Sequence, residues 1–204
     1  MVLEDLGGIL VSPKETFRII FAERRSVLSA FGILFLFSLS AGLGFASLVG
    51  RFIGGIASPI PNVPFVGSIT TLVIASLGVG LAILDVIVWV VYSGFSATTA
   101  KLMDGRGDFS RELIVIGYSL GVSKTAVILA CFIGLFLPSL VSFIAFTLGF
   151  IVYLILFTIL ASIGTCVAQE ISFTKGFLCI IIPPLILILV SVAIIPLMTF
   201  GIMW

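Results

Sequence analysis

Two hydrophobic segments joined by a short charged loop, within residues 81–125, constrain the fold more than any other part of the sequence. The first segment contains a single acid, Asp85, and the second a single base, Lys124. A loop of about ten residues returns the chain across a bilayer only in the opposite direction, so the segments are expected to be antiparallel membrane helices. Counted outward from the loop, Asp85 and Lys124 fall at nearly the same depth. This spacing predicts that the two side chains contact each other.

The composition is typical of a polytopic membrane protein. Hydrophobic residues make up 61% of the 204 residues and charged residues only 9%, against about 25% charged residues in soluble domains. His is absent, and the three cysteines lie in apolar segments without paired spacing, so we expect no metal, no cofactor and no catalytic centre. The protein is therefore not expected to be an enzyme. A formal net charge of +1 also argues against a nucleic-acid partner.

The hydrophobic pattern predicts an all-α membrane protein, a bundle of five transmembrane helices preceded by a short amphipathic interfacial helix. These helices form one transmembrane domain, residues 26–204, after an N-terminal cytoplasmic segment, residues 1–25. The expected spans cover residues 26–50, 69–95, 113–137, 139–168 and 176–203.

The interfacial helix is expected to follow a short segment, residues 1–11, that is broken by two glycines. Residues 12–15, SPKE, have the pattern of a capping box with proline at the first helical position. Phe17, Ile20 and Phe21 then share one face, which we expect to enter the membrane while basic residues meet anionic headgroups. A solvated helix leading into the first span is the alternative.

Lysine and arginine residues are strongly segregated along the chain, and this predicts the orientation. Only Arg51 lies on one side of the predicted bundle. The other side carries Lys14, Arg18, Arg24, Arg25, Lys101, Arg106, Arg111 and Lys175. We therefore expect Arg24 and Lys101 in the cytoplasm, and Ser58 and Trp204 outside. The N-terminus is then cytoplasmic and the C-terminus external.

Three segments resemble the Yip-one domain family, the Ypt/Rab-interacting membrane proteins and their prokaryotic relatives. They are residues 12–17 (SPKETF), residues 99–119 (TAKL through IGYS) and residues 170–176 (EISFTKG). The resemblance implies five transmembrane helices and, for eukaryotic members, a role in vesicle traffic with small GTPases. The chain lacks the long polar N-terminal region, the Asp-Leu-Tyr-Gly-Pro stretch and the proline that would follow Gly117-Tyr118. These departures make a small GTPase a doubtful partner and a prokaryotic plasma membrane the expected location.

Asp85 and Lys124 allow two functional interpretations. An unpaired charge near the middle of a bilayer costs about 2.5–3.5 kcal/mol on the insertion scale, so both side chains should face protein. They could be a structural pair that fixes the register of two helices. They could instead form an ion or proton relay in a small transporter or channel subunit. The first interpretation predicts action through helix and surface contacts in membrane organisation or traffic, with the lipid bilayer, other membrane proteins or a second copy as partners.

Other motifs are expected to be structural. Residues 105–108, GRGD, match a pattern of presenilin-like intramembrane proteases, but such enzymes need two aspartates together inside the membrane. This segment is expected in a surface loop, as turn residues. Gly117 and Gly121 permit close helix packing, with Tyr118 beside them as an anchor or hydrogen-bond partner. Residues 169–170, QE, are expected in a cytoplasmic loop.

Overall fold

The computed structural model describes the backbone of residues 2–57 and 64–201, and the side chains of residues 4–52 and 71–189. Within these residues the chain forms helices joined by short turns, without a strand. In chain order the helices are α1 (Val2–Val11), α2 (Pro13–Ala22), α3 (Val27–Ala57), α4 (Pro64–Leu102), α5 (Phe109–Ser123), α6 (Thr125–Gly134), α7 (Ser139–Gln169) and α8 (Phe173–Gly201).

Four helical stretches among the described residues are long and apolar enough to cross a membrane. They are Val27–Phe52, Thr71–Leu102, Phe109–Gly134 and Ser139–Gln169. The third stretch contains both α5 and α6. The expected all-helical membrane fold is therefore confirmed with four candidate spans. The fifth expected span falls on α8, whose apolar part with described side chains, Phe173–Leu189, is a shorter helix.

Two helices extend past the expected ends of their spans. α3 continues to Ala57, beyond residue 50, and α4 continues to Leu102, beyond residue 95. The small polar residues near the end of α4 are accommodated in the helix, since their hydroxyls have hydrogen-bond partners within it. Thr98 and Thr99 each donate to the carbonyl four residues earlier, at 2.8 and 2.9 Å.

Helix α1, Val2–Val11, forms where the sequence predicts a broken segment. A single residue, Ser12, separates α1 from α2, and the two helices pack together. Gly8 permits this packing, since a Cβ there would lie 2.6 Å from Oγ1 of Thr16. The predicted capping box is wrong, because Ser12 makes no side-chain cap and its N–H donates to the carbonyl of Gly8 at 2.7 Å. In a capping box the Glu15 carboxylate would accept the N–H of Ser12, but that N–H is already bonded to Gly8.

The apolar face of α2 packs on protein, where the sequence predicts contact with lipid. Phe17 and Ile20 are fully buried, and Phe21 is partly buried against the same core. Gly164 of α7 makes room for this face, because a Cβ there would lie 2.9 Å from the Phe17 ring. The sequence identified the right face, but a helical apolar stripe has the same pattern whether lipid or protein covers it.

Helix α5 lies at the centre of the bundle and contacts α1, α3, α4 and α7. In the candidate span that contains it, 72% of the most apolar window is buried, against 33% or less in the other three. Its core residues include Ile114, Val115, Ile116, Tyr118, Leu120 and Val122. The surrounding helices direct large apolar side chains outward, as expected for surfaces that face lipid.

The third span is interrupted at Lys124, where the sequence predicts one continuous helix over residues 113–137. The N–H of Lys124 is shared between the carbonyls of Leu120 and Gly121, both at 3.2 Å. This sharing tightens the turn between α5 and α6. The second half of the span then ends at Gly134, three residues before the expected boundary.

The close helix contact predicted at Gly117 and Gly121 is made with α3. A Cβ on Gly117 would lie 3.0 Å from Cβ of Ala30, and one on Gly121 would lie 2.7 Å from Cγ2 of Ile33. Tyr118 between them is fully buried, and its hydroxyl donates to a serine hydroxyl of α3 at 3.3 Å. Tyr118 is therefore a hydrogen-bond partner inside the bundle.

Candidate functional site

Lys124 joins three helices from its position at the break between α5 and α6. Its side chain is buried, and its Nζ donates to Oγ of Ser38 on α3 at 2.8 Å. The same Nζ forms an ion pair with the carboxylate of Asp85 on α4. The structure thus brings together the acid and the base that the sequence places at equal depth. One amine fixes α3 and α4 relative to the centre of the bundle.

The two members of this pair differ in exposure. The side chain of Lys124 is 6% exposed, whereas that of Asp85 is 36% exposed. Asp85 has exposed apolar neighbours on α4, including Ile83, Leu84 and Ile87. The carboxylate therefore lies at the outer surface of the bundle and the amine inside it.

A second polar cluster surrounds Glu112. The sequence does not predict this cluster, because Glu112 is expected in the charged loop before the third span. Glu112 lies in the first turn of α5 and is fully buried. The helix begins after Asp108, whose carboxylate accepts the N–H of Arg111 at 2.8 Å. This N-cap allows the helix to start early enough to carry Glu112 into the core. The positive end of the helix dipole favours a carboxylate at that position.

Three neutral side chains donate to the Glu112 carboxylate. Ser96 of α4 and Thr165 of α7 both donate to Oε1 at 2.6 Å, and Nε2 of Gln169 donates to Oε2 at 3.1 Å. The expected loop position of Gln169 is wrong, because this residue ends α7 and is fully buried. Its own Oε1 has no hydrogen-bond partner within the described structure. The cluster joins α4, α5 and α7 around one acid.

The sequence contains one signal for this cluster. Ser96, Thr165 and Gln169 are polar residues near the ends of otherwise apolar helices, on the same side of the membrane as Glu112. Their burial depends on which helices surround α5, and no local pattern gives that arrangement.

The GRGD segment lies in the connection between α4 and α5, as expected, and packs against the end of α7. A Cβ on Gly107 would lie 2.8 Å from Oε1 of Gln169 and would also collide with the carbonyl oxygen of Ala168. The N–H of Arg106 donates to the carbonyl of Gln169 at 2.9 Å. This loop therefore satisfies one carbonyl group that the end of α7 leaves without a helical partner.

Lys175, in the first turn of α8, connects that helix to the same loop. Its Nζ donates to the carbonyl of Met103 at 2.8 Å and to the carboxylate of Asp104 at 3.3 Å. Gly176 permits close packing on α7, since a Cβ there would lie 2.7 Å from the carbonyl oxygen of Ser162.

Arg111 links α2 to these two connections. Its guanidinium lies over the ring of Phe21, 5.8 Å from the centroid, and Nη1 lies 3.9 Å from Oε1 of Glu170. We call the end of the bundle formed by α2, residues 101–112 and residues 170–176 the loop end. All three sequence segments that resemble the Yip-one family contribute to the loop end.

Among the described residues, no cluster of three or more potential metal ligands occurs. Comparison with curated proteins and with solved structures gave no match. A family model for the Yip1 domain matches residues 7–195, which is nearly the whole chain. This match spans all three segments of the resemblance, and the chain belongs to the Yip1 domain family.

Proposed function

We propose that this protein acts through helix and surface contacts in membrane organisation or traffic and does not catalyse a reaction. The observation that carries the proposal is the convergence of the three family-like segments at the loop end. Arg111 and Lys175 join the second and third of these segments through a backbone carbonyl and two carboxylates. Arg111 also contacts the Phe21 ring of α2, the helix that begins within the first segment. Such a set of mutual contacts preserves a surface shape and provides no nucleophile with an adjacent base.

We further propose that the chain crosses the membrane five times, with the loop end in the cytoplasm of a prokaryotic cell. Helix α8 has 29 residues, and about 20 helical residues cross a bilayer. Arg24, Lys101 and Arg106 are exposed near the loop end, and Arg51 is exposed at the opposite end. This distribution supports a cytoplasmic loop end.

The loop end has the surface chemistry of a protein-binding site. Leu102 is 83% exposed, and Phe109 and Phe173 are also exposed. The charged side chains of Lys101 and Arg106 lie in the same part of the chain. Apolar side chains that protrude among charges are typical anchors for a partner protein. We propose another membrane protein, or a second copy of this chain, as the partner.

Photo-crosslinking from two matched leucines tests the proposal. A photoreactive amino acid replaces Leu102 at the loop end, or Leu140 near the start of α7, which is 74% exposed at the opposite end. Crosslinking in living cells should give a discrete protein adduct from position 102 and lipid adducts from position 140. Lipid adducts alone from both positions would refute a partner-binding loop end.

A further inference from the structure

A cavity of about 230 Å³ lies between α3 and α7 at the end of the bundle opposite the loop end. Its wall is mostly aromatic and aliphatic, with two serines and one arginine. The aromatic part is formed by Phe45, Phe52, Phe143 and Phe146, and the polar part includes Arg51 and Ser139. Phe52 and Phe143 are largely exposed at its edge, so the cavity is a groove that is accessible from the lipid side.

Arg51 is the only charged residue among residues 26–84, and residues 125–169 contain no charged residue. Of the nine acids, Asp85 is paired with Lys124. The other eight precede the first span or lie at the loop end; they are Glu4, Asp5, Glu15, Glu23, Asp104, Asp108, Glu112 and Glu170. Among the residues whose side chains the structure describes, no acidic side chain lies at the Arg51 end of the bundle.

The guanidinium of Arg51 is held in place by the end of α6. Nη1 donates to the carbonyl of Gly134 at 3.4 Å and also to the carbonyl of Leu135. Among the described contacts only this nitrogen is engaged, and a guanidinium has five N–H donors. The remaining donors suit the bidentate binding of a phosphate group.

We propose that this groove binds one anionic phospholipid, with an acyl chain against the phenylalanines and the phosphate on Arg51. The acyl chain gives little selectivity, because lipid tails are as apolar as the groove itself. The selectivity of the groove therefore depends on the headgroup. A lipid with a net negative charge supplies a counter-charge for Arg51, whereas the phosphate of a zwitterionic lipid is already balanced by its own ammonium group. One basic residue at a membrane surface corresponds to about a fivefold preference for the anionic lipid.

Native mass spectrometry of the purified full-length protein tests this site. The protein is released from nanodiscs that contain equal amounts of phosphatidylglycerol and phosphatidylcholine, and the lipids that remain bound are counted. We expect one retained phosphatidylglycerol at about a fivefold excess over phosphatidylcholine. Equal retention of the two lipids would overturn the proposal.

Two variants remove the preference in different ways. Arg51→Gln removes the charge, while Ser139→Glu leaves Arg51 in place and adds a competing carboxylate to the groove. Ser139 is the first residue of α7, where an acidic side chain favours the helix, so this variant should fold. Thr174→Glu is the matched control, because Thr174 is exposed in the first turn of α8 at the loop end.

The expected result is a loss of the lipid preference in both groove variants and an unchanged preference in Thr174→Glu. A preference that persists in either groove variant would overturn the assignment of the lipid to this groove. A preference that falls equally in all three variants would show that overall charge and not the groove selects the lipid. Inorganic phosphate at millimolar concentration should not displace the bound lipid. Displacement would assign Arg51 to soluble anions and overturn the lipid assignment.

Discussion

The amine of Lys124 contacts the carboxylate of Asp85 across the interface between the central helix and α4. The same amine donates to Ser38 on α3, so one buried charge positions three helices. Buried ion pairs often fix one arrangement of a structure without adding net stability. The geometry therefore favours a structural role, and the relay remains the alternative to be tested.

Removal of either charge should destabilise the protein more than removal of both. Asp85→Leu alone leaves the buried Lys124 charge unpaired, at a cost of about 3–5 kcal/mol. Lys124→Met alone leaves Asp85 unpaired at the outer surface of the bundle, at about 2.5–3.5 kcal/mol. The double variant leaves no charge and should cost much less. Unfolding in mixed detergent micelles measures all three free energies.

The double variant also separates the two functional interpretations. If the pair is structural, the folded double variant should still give the protein adduct from position 102 and should behave like the unmodified protein in cells. If the double variant folds normally but no longer supports the function of the unmodified protein in cells, the pair acts as a relay. Similar destabilisation by the single and double variants would contradict a coupled pair.

The Glu112 cluster should tolerate an amide better than an apolar side chain. In Glu112→Gln, the new carbonyl can accept from Ser96 and Thr165, and the new amide can donate to the unpaired Oε1 of Gln169 if that amide group rotates. We expect a change of less than about 1 kcal/mol in the free energy of unfolding. Glu112→Leu leaves the buried donors unpaired, at about 1–3 kcal/mol for each unsatisfied group.

Thermal unfolding of the purified variants measures the difference. Glu170→Gln is the control, because Glu170 is more than half exposed at the loop end and should change stability little. A Glu112→Gln variant as unstable as Glu112→Leu would mean that the cluster requires the carboxylate itself.

The loop end should depend on the absence of a side chain at Gly107. Gly107→Ala places a Cβ against the backbone of α7, which cannot yield without loosening the cap on that helix. We expect a loss of about 1–3 kcal/mol, as for other overpacked sites. Gly80→Ala is the matched control, because a Cβ at Gly80 meets nothing within 4 Å and alanine favours a helix. Equal unfolding temperatures for the two variants would contradict the contact.

The sequence predicts contacts that follow from helix geometry and misses those that depend on the packing of distant segments. Asp85 and Lys124 could be paired by depth, because helices joined by a short loop rise by a fixed 1.5 Å per residue. Glu112 could not be assigned to the core, since its neighbours in the chain are charged and its donors come from α4 and α7. The face of α2 was recognised from its spacing, but its covering by α7 is a tertiary contact.

The orientation of the chain in the membrane should follow from the segregation of its basic residues. Arg24 and Lys101 are exposed in the structure, whereas Ser58 and Trp204 lie outside the residues whose side chains are described. Each is replaced singly by cysteine after Cys131, Cys166 and Cys179 have been removed. In intact cells a thiol reagent that cannot cross the membrane should label positions 58 and 204 and leave positions 24 and 101 unlabelled until the cells are opened. The physical reason is that lysine and arginine near membrane spans are retained in the cytoplasm. Labelling at position 101 before opening would invert the proposed topology and place the loop end outside the cell.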